Sequence, residues 1–192
     1  MAMVSGRSGP YCIHRYEVAL SGDPGPKAQA AQFPGHAAGG VQLSSAAGQL
    51  PSNAVSWYQS RAACLAVGLH LCTSAEWEDA CAGPPGPTRR EYPIEGGRLW
   101  DRCYVGRPGG GVIASGAASG CSTPEGVYDL AGNLWEWTDP GQLAADGSPL
   151  IDKRGGGYYT VDGVPCAREA VGTHAPDFDG TIGFRCCAPV AR

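Results

Sequence analysis

Gly126-Val127-Tyr128-Asp129-Leu130-Ala131-Gly132-Asn133-Leu134-Trp135-Glu136-Trp137 sets two tryptophans, a tyrosine, two glycines and two carboxylates within twelve positions. Aromatic rings at this density bury a large area. The glycines let the backbone turn where a side chain would clash. Asp129 and Glu136 bracket the turn, and an acidic pair beside main-chain carbonyls suits a hard cation such as calcium. The residues alone also allow a plainer arrangement, with Asp129 capping a turn and Glu136 in a surface ion pair. Either way the stretch predicts a folded loop around which the rest of the chain packs.

The chain has 192 residues, enough for one domain with a sizeable core. Thirty glycines and sixteen prolines point to irregular loops, while five tryptophans and eight tyrosines argue against disorder. A net charge of -4, with no basic stripe, excludes nucleic acid as the expected partner. No apolar run is long enough to span a bilayer. The first ten residues, MAMVSGRSGP, have neither the charged nor the apolar region of an export signal, and read as a leader or tail ahead of a single domain at 11–192. Nine cysteines, none arranged as the paired CxxC clusters of a zinc site, predict disulfides in an oxidising compartment: secreted, periplasmic or cell-surface. The odd count leaves at least one thiol free or paired outside the chain.

Working outward from the central stretch, residues 11–20 alternate as a half-buried strand. Residues 21–53 lack periodicity and read as a long loop. Val55, Tyr58, Ala62, Leu65 and Leu69 recur at helical spacing. Thr73-Ser74-Ala75-Glu76 fits a capping box opening a short helix that runs through Trp77 to Cys81 and stops at Pro84-Pro85-Gly86-Pro87. Residues 83–122 read as loops with a brief strand at 104–105. Arg154-Gly155-Gly156-Gly157-Tyr158-Tyr159 reads as the start of a strand, and residues 181–187 as the final one.

Four motifs in order, VSWYQSRAACLAVGLHLCTSAEWEDAC, GVYDLAGNLWEWTD, RGGG and GFRC, resemble the formylglycine-generating enzyme (sulfatase-modifying factor) family from about Tyr11 to Cys187. The family's RLPTEAEWE motif is present in altered form at residues 69–78. The resemblance implies an α+β, elaborated C-type-lectin-like fold, loop-rich, with two short helices around small antiparallel sheets. It implies a calcium ion held by side-chain oxygens of Asp129 and Glu136 and main-chain oxygens of Gly132 and Leu134. A second calcium site of the family depends on a pattern lost near Arg102-Cys103-Tyr104-Val105, so none is expected there. It also implies disulfides joining Cys64 with Cys186 and Cys81 with Cys166. Cys103 with Cys121, and Cys12 with Cys187, complete the expected set, the last because terminal strands lie together in this fold. Cys72 is then left over.

The family's two reactive cysteines, which hold copper, precede the cysteine matched by Cys166. Here that interval, residues 158–165, contains none. Soft thiolates are what Cu(I) selects, so formylglycine formation is not expected. His14, His36, His70 and His174 could be imagined as an iron site, but the relatives that use iron draw histidines from a separate helical domain. Cys166 near Arg168 could be an activated thiol, yet the bridge explains it better. The loop-rich face at 158–181 carries Tyr158, Tyr159, Asp162, Arg168, Glu169, His174, Asp177, Phe178 and Asp179, a composition suited to binding loops. On the family's fold this face holds substrate in enzymes and the diversified residues in variable proteins of diversity-generating retroelements. The sequence therefore predicts a non-catalytic, calcium-stabilised binding module for a protein or small ligand. The alternative is a metal-dependent oxidoreductase acting on a peptide or secondary metabolite.

Overall fold

A computed structural model describes residues 1–22, 41–96, 99–139, 141–142, 145, 150–168, 170–171 and 180–190. Two four-stranded sheets share the core with two helices. The first sheet has the order β1-β2-β10-β5, built from Ala2–Gly6, Gly9–Ile13, Cys186–Pro189 and His70–Leu71. The second has the order β8-β7-β6-β9, built from Ala170–Val171, Asp152–Arg154, Trp135–Thr138 and Ile182–Phe184. A small ribbon pairs β3 (Ala19–Ser21) with β4 (Gln42–Ser44).

Residues 2–10 carry strand β1 and the start of β2. Ala2 and Val4 are buried between exposed Met3 and Ser5, the alternation of a half-buried strand, and β1 pairs with β2 in full register. The expected strand at 11–20 is two elements, because the chain leaves the first sheet after Ile13 and buries Glu17 before β3 begins.

Helix α1 (Trp57–Ala66) opens on Ser56, whose hydroxyl accepts from Gln59 N while the Gln59 side chain accepts from Ser56 N. Helix α2 (Ser74–Ala82) opens on the capping box of Thr73 and Glu76 and stops at Gly83, whose φ of 84° leaves the helical region. A third, four-residue helix, α3 (Leu99–Arg102), precedes the segment expected as a strand at 104–105. The strand expected to begin at Arg154 instead ends there, since Gly155 and Gly156 take φ of 89° and 76°. The final strand is split. Ile182–Phe184 joins the second sheet, Cys186–Pro189 joins the first, and Arg185 sits between them.

Cys64 bridges Cys186, Cys81 bridges Cys166, and Cys103 bridges Cys121. The fourth bridge corrects an expectation: Cys187 joins Cys72, and Cys12 is the free thiol. The register explains it. Cys187 lies opposite Ile13, so Cys12, one residue along, projects from the other face of the sheet. Cys72 follows β5 directly and reaches the buried face where Cys187 lies.

Candidate functional site

Beneath the central stretch lies a buried polar cluster. Glu136, on β6, is fully buried, and both its oxygens accept from Arg185: Nε at 2.9 and 2.8 Å, Nη2 at 2.7 Å to Oε1. Trp77 Nε1 adds a bond of 2.8 Å to Oε2. The remaining Arg185 donors reach the carbonyls of His14 (3.2 Å), Arg15 (3.0 Å) and Tyr128 (2.6 Å). The Arg185–Glu136 pair thus ties the segment after β2, helix α2 (through Trp77), β6 and the central stretch together. The planar fork suits this, because each N–H finds an acceptor without reorganisation.

Asp129 (φ 58°) and Asn133 (φ 55°) adopt left-handed backbone within the stretch, a conformation their short polar side chains tolerate. Asp129 Oδ2 accepts from Gly116 N at 2.6 Å. Glu17, which the sequence did not single out, completes the cluster. It accepts from Ser115 Oγ (2.9 Å), Asn133 Nδ2 (2.7 Å) and Leu134 N (3.3 Å). Three carboxylates therefore face one guanidinium. Burial, reinforced by Asp129 and Glu136, holds the Glu17 carboxyl well above its ordinary range. Burial likewise pushes Asp129 up to about 6, against the opposing pull of the Gly116 N–H and Arg185.

Asp129 and Glu136 share one cluster, in which both Glu136 oxygens accept from Arg185 and one also accepts from Trp77. Among the described residues no three His, Cys, Asp or Glu side chains form a metal-holding group. The expected main-chain ligands Gly132 and Leu134 lie on the same stretch, between Asp129 and Glu136. Gly132 (φ 85°) packs so closely on Tyr104 and Val105 that any Cβ would collide with them.

Above the cluster the chain presents an aromatic face. Tyr158 N donates to Asn133 O (2.9 Å), Arg107 N to Tyr158 O (2.7 Å) and Gly106 N to Thr160 O (2.9 Å), clipping the 157–160 loop to the central stretch and to residues 106–107. The loop can lie there because Gly156 leaves room for Val164 and Thr160, which a Cβ would contact at 2.9 and 3.2 Å. Tyr104 and Tyr158 have ring centroids 6.4 Å apart, and Tyr158 meets Tyr159 edge-on at 5.5 Å. Trp135 Nε1 donates to the Tyr159 hydroxyl at 3.0 Å. Arg107 lies 6.0 Å from the Tyr104 ring, and Lys153 lies 5.3 Å from the Trp135 ring. The result is a row of four rings with a cation at each end.

Of the residues expected on this face, Tyr158 and Tyr159 are in the row, and Asp162 and Arg168 are exposed on the segment that follows. Glu169, His174, Asp177, Phe178 and Asp179 lie outside the described residues, as does His36. Tyr104, Arg107, Trp135 and Lys153 were not anticipated. Lys153 pairs with Trp137 of β6 in the sheet, a pairing across sixteen residues that no local pattern announces. The remaining histidines do not converge. His14 is buried, with Cys186 N donating to its Nδ1 at 3.4 Å, and burial lowers it to about 4. His70 pairs with Glu76 at 2.9 Å, a hydrogen bond that raises its pKa.

The sulfatase-modifying factor enzyme 1-like domain matches residues 12–190. The chain belongs to that family. Inactive C-alpha-formylglycine-generating enzyme 2 of Bos taurus is 31% identical over 159 residues, covering 75% of this chain and 52% of that protein. The chain spans about half the length of the curated relatives it matches first. Among solved structures, Treponema denticola variable protein 1 aligns with a TM-score of 0.63 at 19% identity, over 94% of this chain and 85% of that one. PvdO from Pseudomonas aeruginosa aligns with a TM-score of 0.62 at 16% identity, over 95% and 81%. At these identities the structural likeness speaks for the fold, which is the loop-rich, formylglycine-generating-enzyme-like form of the C-type lectin architecture. Among the described residues no helix is long and apolar enough to cross a membrane.

Proposed function

We propose that this domain is a calcium-stabilised binding module of the sulfatase-modifying factor family, recognising a protein or small ligand through the row Tyr104, Tyr158, Tyr159 and Trp135. The observation that carries it is the rigidity of that row. Its backbone is clipped by one main-chain hydrogen bond to the central stretch and by two to residues 106–107, so the rings are offered to solvent with little entropy left to lose on binding. The cysteine inventory supports the same reading. Eight of the nine are committed to bridges, and Cys12 lies on the other sheet. Copper-cysteine chemistry as in the family's enzymes would need a pair of reduced thiols at the 158–165 interval. The names of two relatives, an inactive enzyme and a variable protein, agree with a binding role. Four bridges favour an oxidising compartment.

The test is a glycan and peptide array probed with the wild type and with the Trp135→Ala/Tyr159→Ala double variant. Binding that is lost in the variant, while its near-ultraviolet dichroism stays folded, supports the module. Oxygen-dependent conversion of a peptide or small substrate by the Cys12→Ser protein supplied with copper or iron would instead establish the oxidoreductase. A neighbouring reverse transcriptase with a near-repeat of the codons for 158–181 would identify the retroelement type.

A further inference from the structure

The cations at the two ends of the aromatic row lack counter-ions. Arg185, Arg154, Arg89 and Arg7, in the core and around α2, each pair with a carboxylate. Among the described residues neither Arg107 nor Lys153 does, and each instead lies over a ring of the row. Asp162 follows the row in sequence but pairs with neither; after burial and Glu91, its charge raises the pKa of Tyr92, which places that carboxylate near Tyr92. A cation resting on the electron-rich face of a ring gives up part of its water, and a carboxylate arriving from solvent completes its coordination. The ring faces themselves are negative and attract no anion. A ligand that covers the whole row is therefore anionic towards its ends and apolar in its middle.

The spacing of the rings selects the form of that ligand. Successive tyrosine centroids are 6.4 and 5.5 Å apart. In an extended chain, side chains two residues apart share a face at roughly 6.6 Å. Alternate side chains of one extended segment thus meet successive rings. The rings are held for this. A Cβ at Gly157 would lie 2.9 Å from the Tyr159 ring and 3.3 Å from that of Trp135, so the two rings close over bare backbone. Val161, 66% exposed, follows the Thr160 carbonyl that accepts from Gly106 N, and adds apolar surface towards the Arg107 end.

We propose that the row takes an extended acidic segment of a protein partner, whose carboxylates meet Arg107 and Lys153 and whose alternate apolar side chains meet the rings. This rests on the reading of the row as a binding face, and adds the sign of the partner's charge and the form of its backbone. Charge complementarity of this kind sets specificity and the rate of encounter more than raw affinity.

The probe is a random peptide library displayed on phage, selected in parallel on the immobilised wild type and on Arg107→Glu/Lys153→Glu. The wild type should enrich peptides with Asp or Glu flanking alternate apolar residues, and the charge-reversed variant should enrich Lys or Arg at the same places. A synthetic peptide from the wild-type selection should bind Arg107→Gln/Lys153→Gln about tenfold more weakly. Raising salt from about 50 mM to about 500 mM should weaken its binding to the wild type by several-fold, a measurement that decides the matter even if a variant fails to fold. Peptides enriched without acidic bias, insensitive to salt yet lost with Trp135→Ala/Tyr159→Ala, would overturn the acidic partner and leave the binding face standing. Binding of glycans alone would overturn the extended peptide. No binding of either class would remove the binding face, and this proposal with it.

Discussion

At the scale of single residues the molecule turns on Arg185 and Asp129. Arg185 is a fully buried cation whose five donors are all used, and breaking such a pair by removing one partner costs about 3–5 kcal/mol. Asp129 is the opposite case, a carboxylate whose pKa burial raises to about 6. A raised carboxyl binds its proton more tightly folded than unfolded. Its contribution to stability is therefore present below the ordinary carboxylate range and is lost as pH rises through 6. In chelator, the melting temperature should fall between pH 4 and pH 7, and Asp129→Asn should flatten that part of the profile. Calcium needs the ionised form, so adding it at pH 7.5 should raise the melting temperature of the wild type but not of Asp129→Asn. An equal rise in both would remove Asp129 from the ion site. The acidic pair was legible in the sequence, but its charge balance was not. Glu17 and Arg185 come from opposite ends of the chain, and nothing local says that Arg185 rather than an ion meets Glu136.

Among the elements, the two helices begin with the same device and differ in how visible it was. Thr73 and Glu76 form the expected capping box, and Ser56 with Gln59 forms a second one equally plain in the sequence. The second is masked because the helical spacing of apolar residues begins at Val55, one residue before the cap. Thr73→Ala should cost about 1 kcal/mol in urea unfolding, and Ser56→Ala a similar amount. Glu76→Ala should cost more than Thr73→Ala, since that carboxylate also holds His70 at 2.9 Å. A smaller loss for Glu76→Ala would show the His70 contact to be unproductive. Strands fared worse than helices. β5 is two residues long and β9 and β10 are separated by a single residue, so periodicity had too little length to speak. Glycines at 155 and 156, read as strand residues packed close to a neighbour, mark instead the point where the strand ends.

For the whole molecule, covalent closure dominates. The bridges from Cys64, Cys72 and Cys81 span 122, 115 and 85 residues. On chain-entropy grounds, replacing Cys64 and Cys186 by alanine should cost about 5 kcal/mol, read as a lower midpoint in guanidinium. Mapping of non-reduced peptides should find Cys12 as the sole free thiol. A bridge from Cys12 to Cys187 would return the molecule to the pairing first expected. The family resemblance implies the bridges of Cys64 with Cys186 and Cys81 with Cys166, and Cys103 also pairs with Cys121 as expected. The fourth depended on strand register, and a shift of one residue moved Cys12 to the far face.

These spans bear on how the protein is made. Cys64, Cys72 and Cys81 leave the ribosome long before Cys166, Cys186 and Cys187, so the nascent chain carries three thiols whose native mates do not yet exist. Cys186 and Cys187 then arrive together, adjacent in sequence yet destined for different partners, and a swap between them is the nearest error. Maturation should accordingly depend on an isomerase that can undo early mispairing, more than on the speed of oxidation.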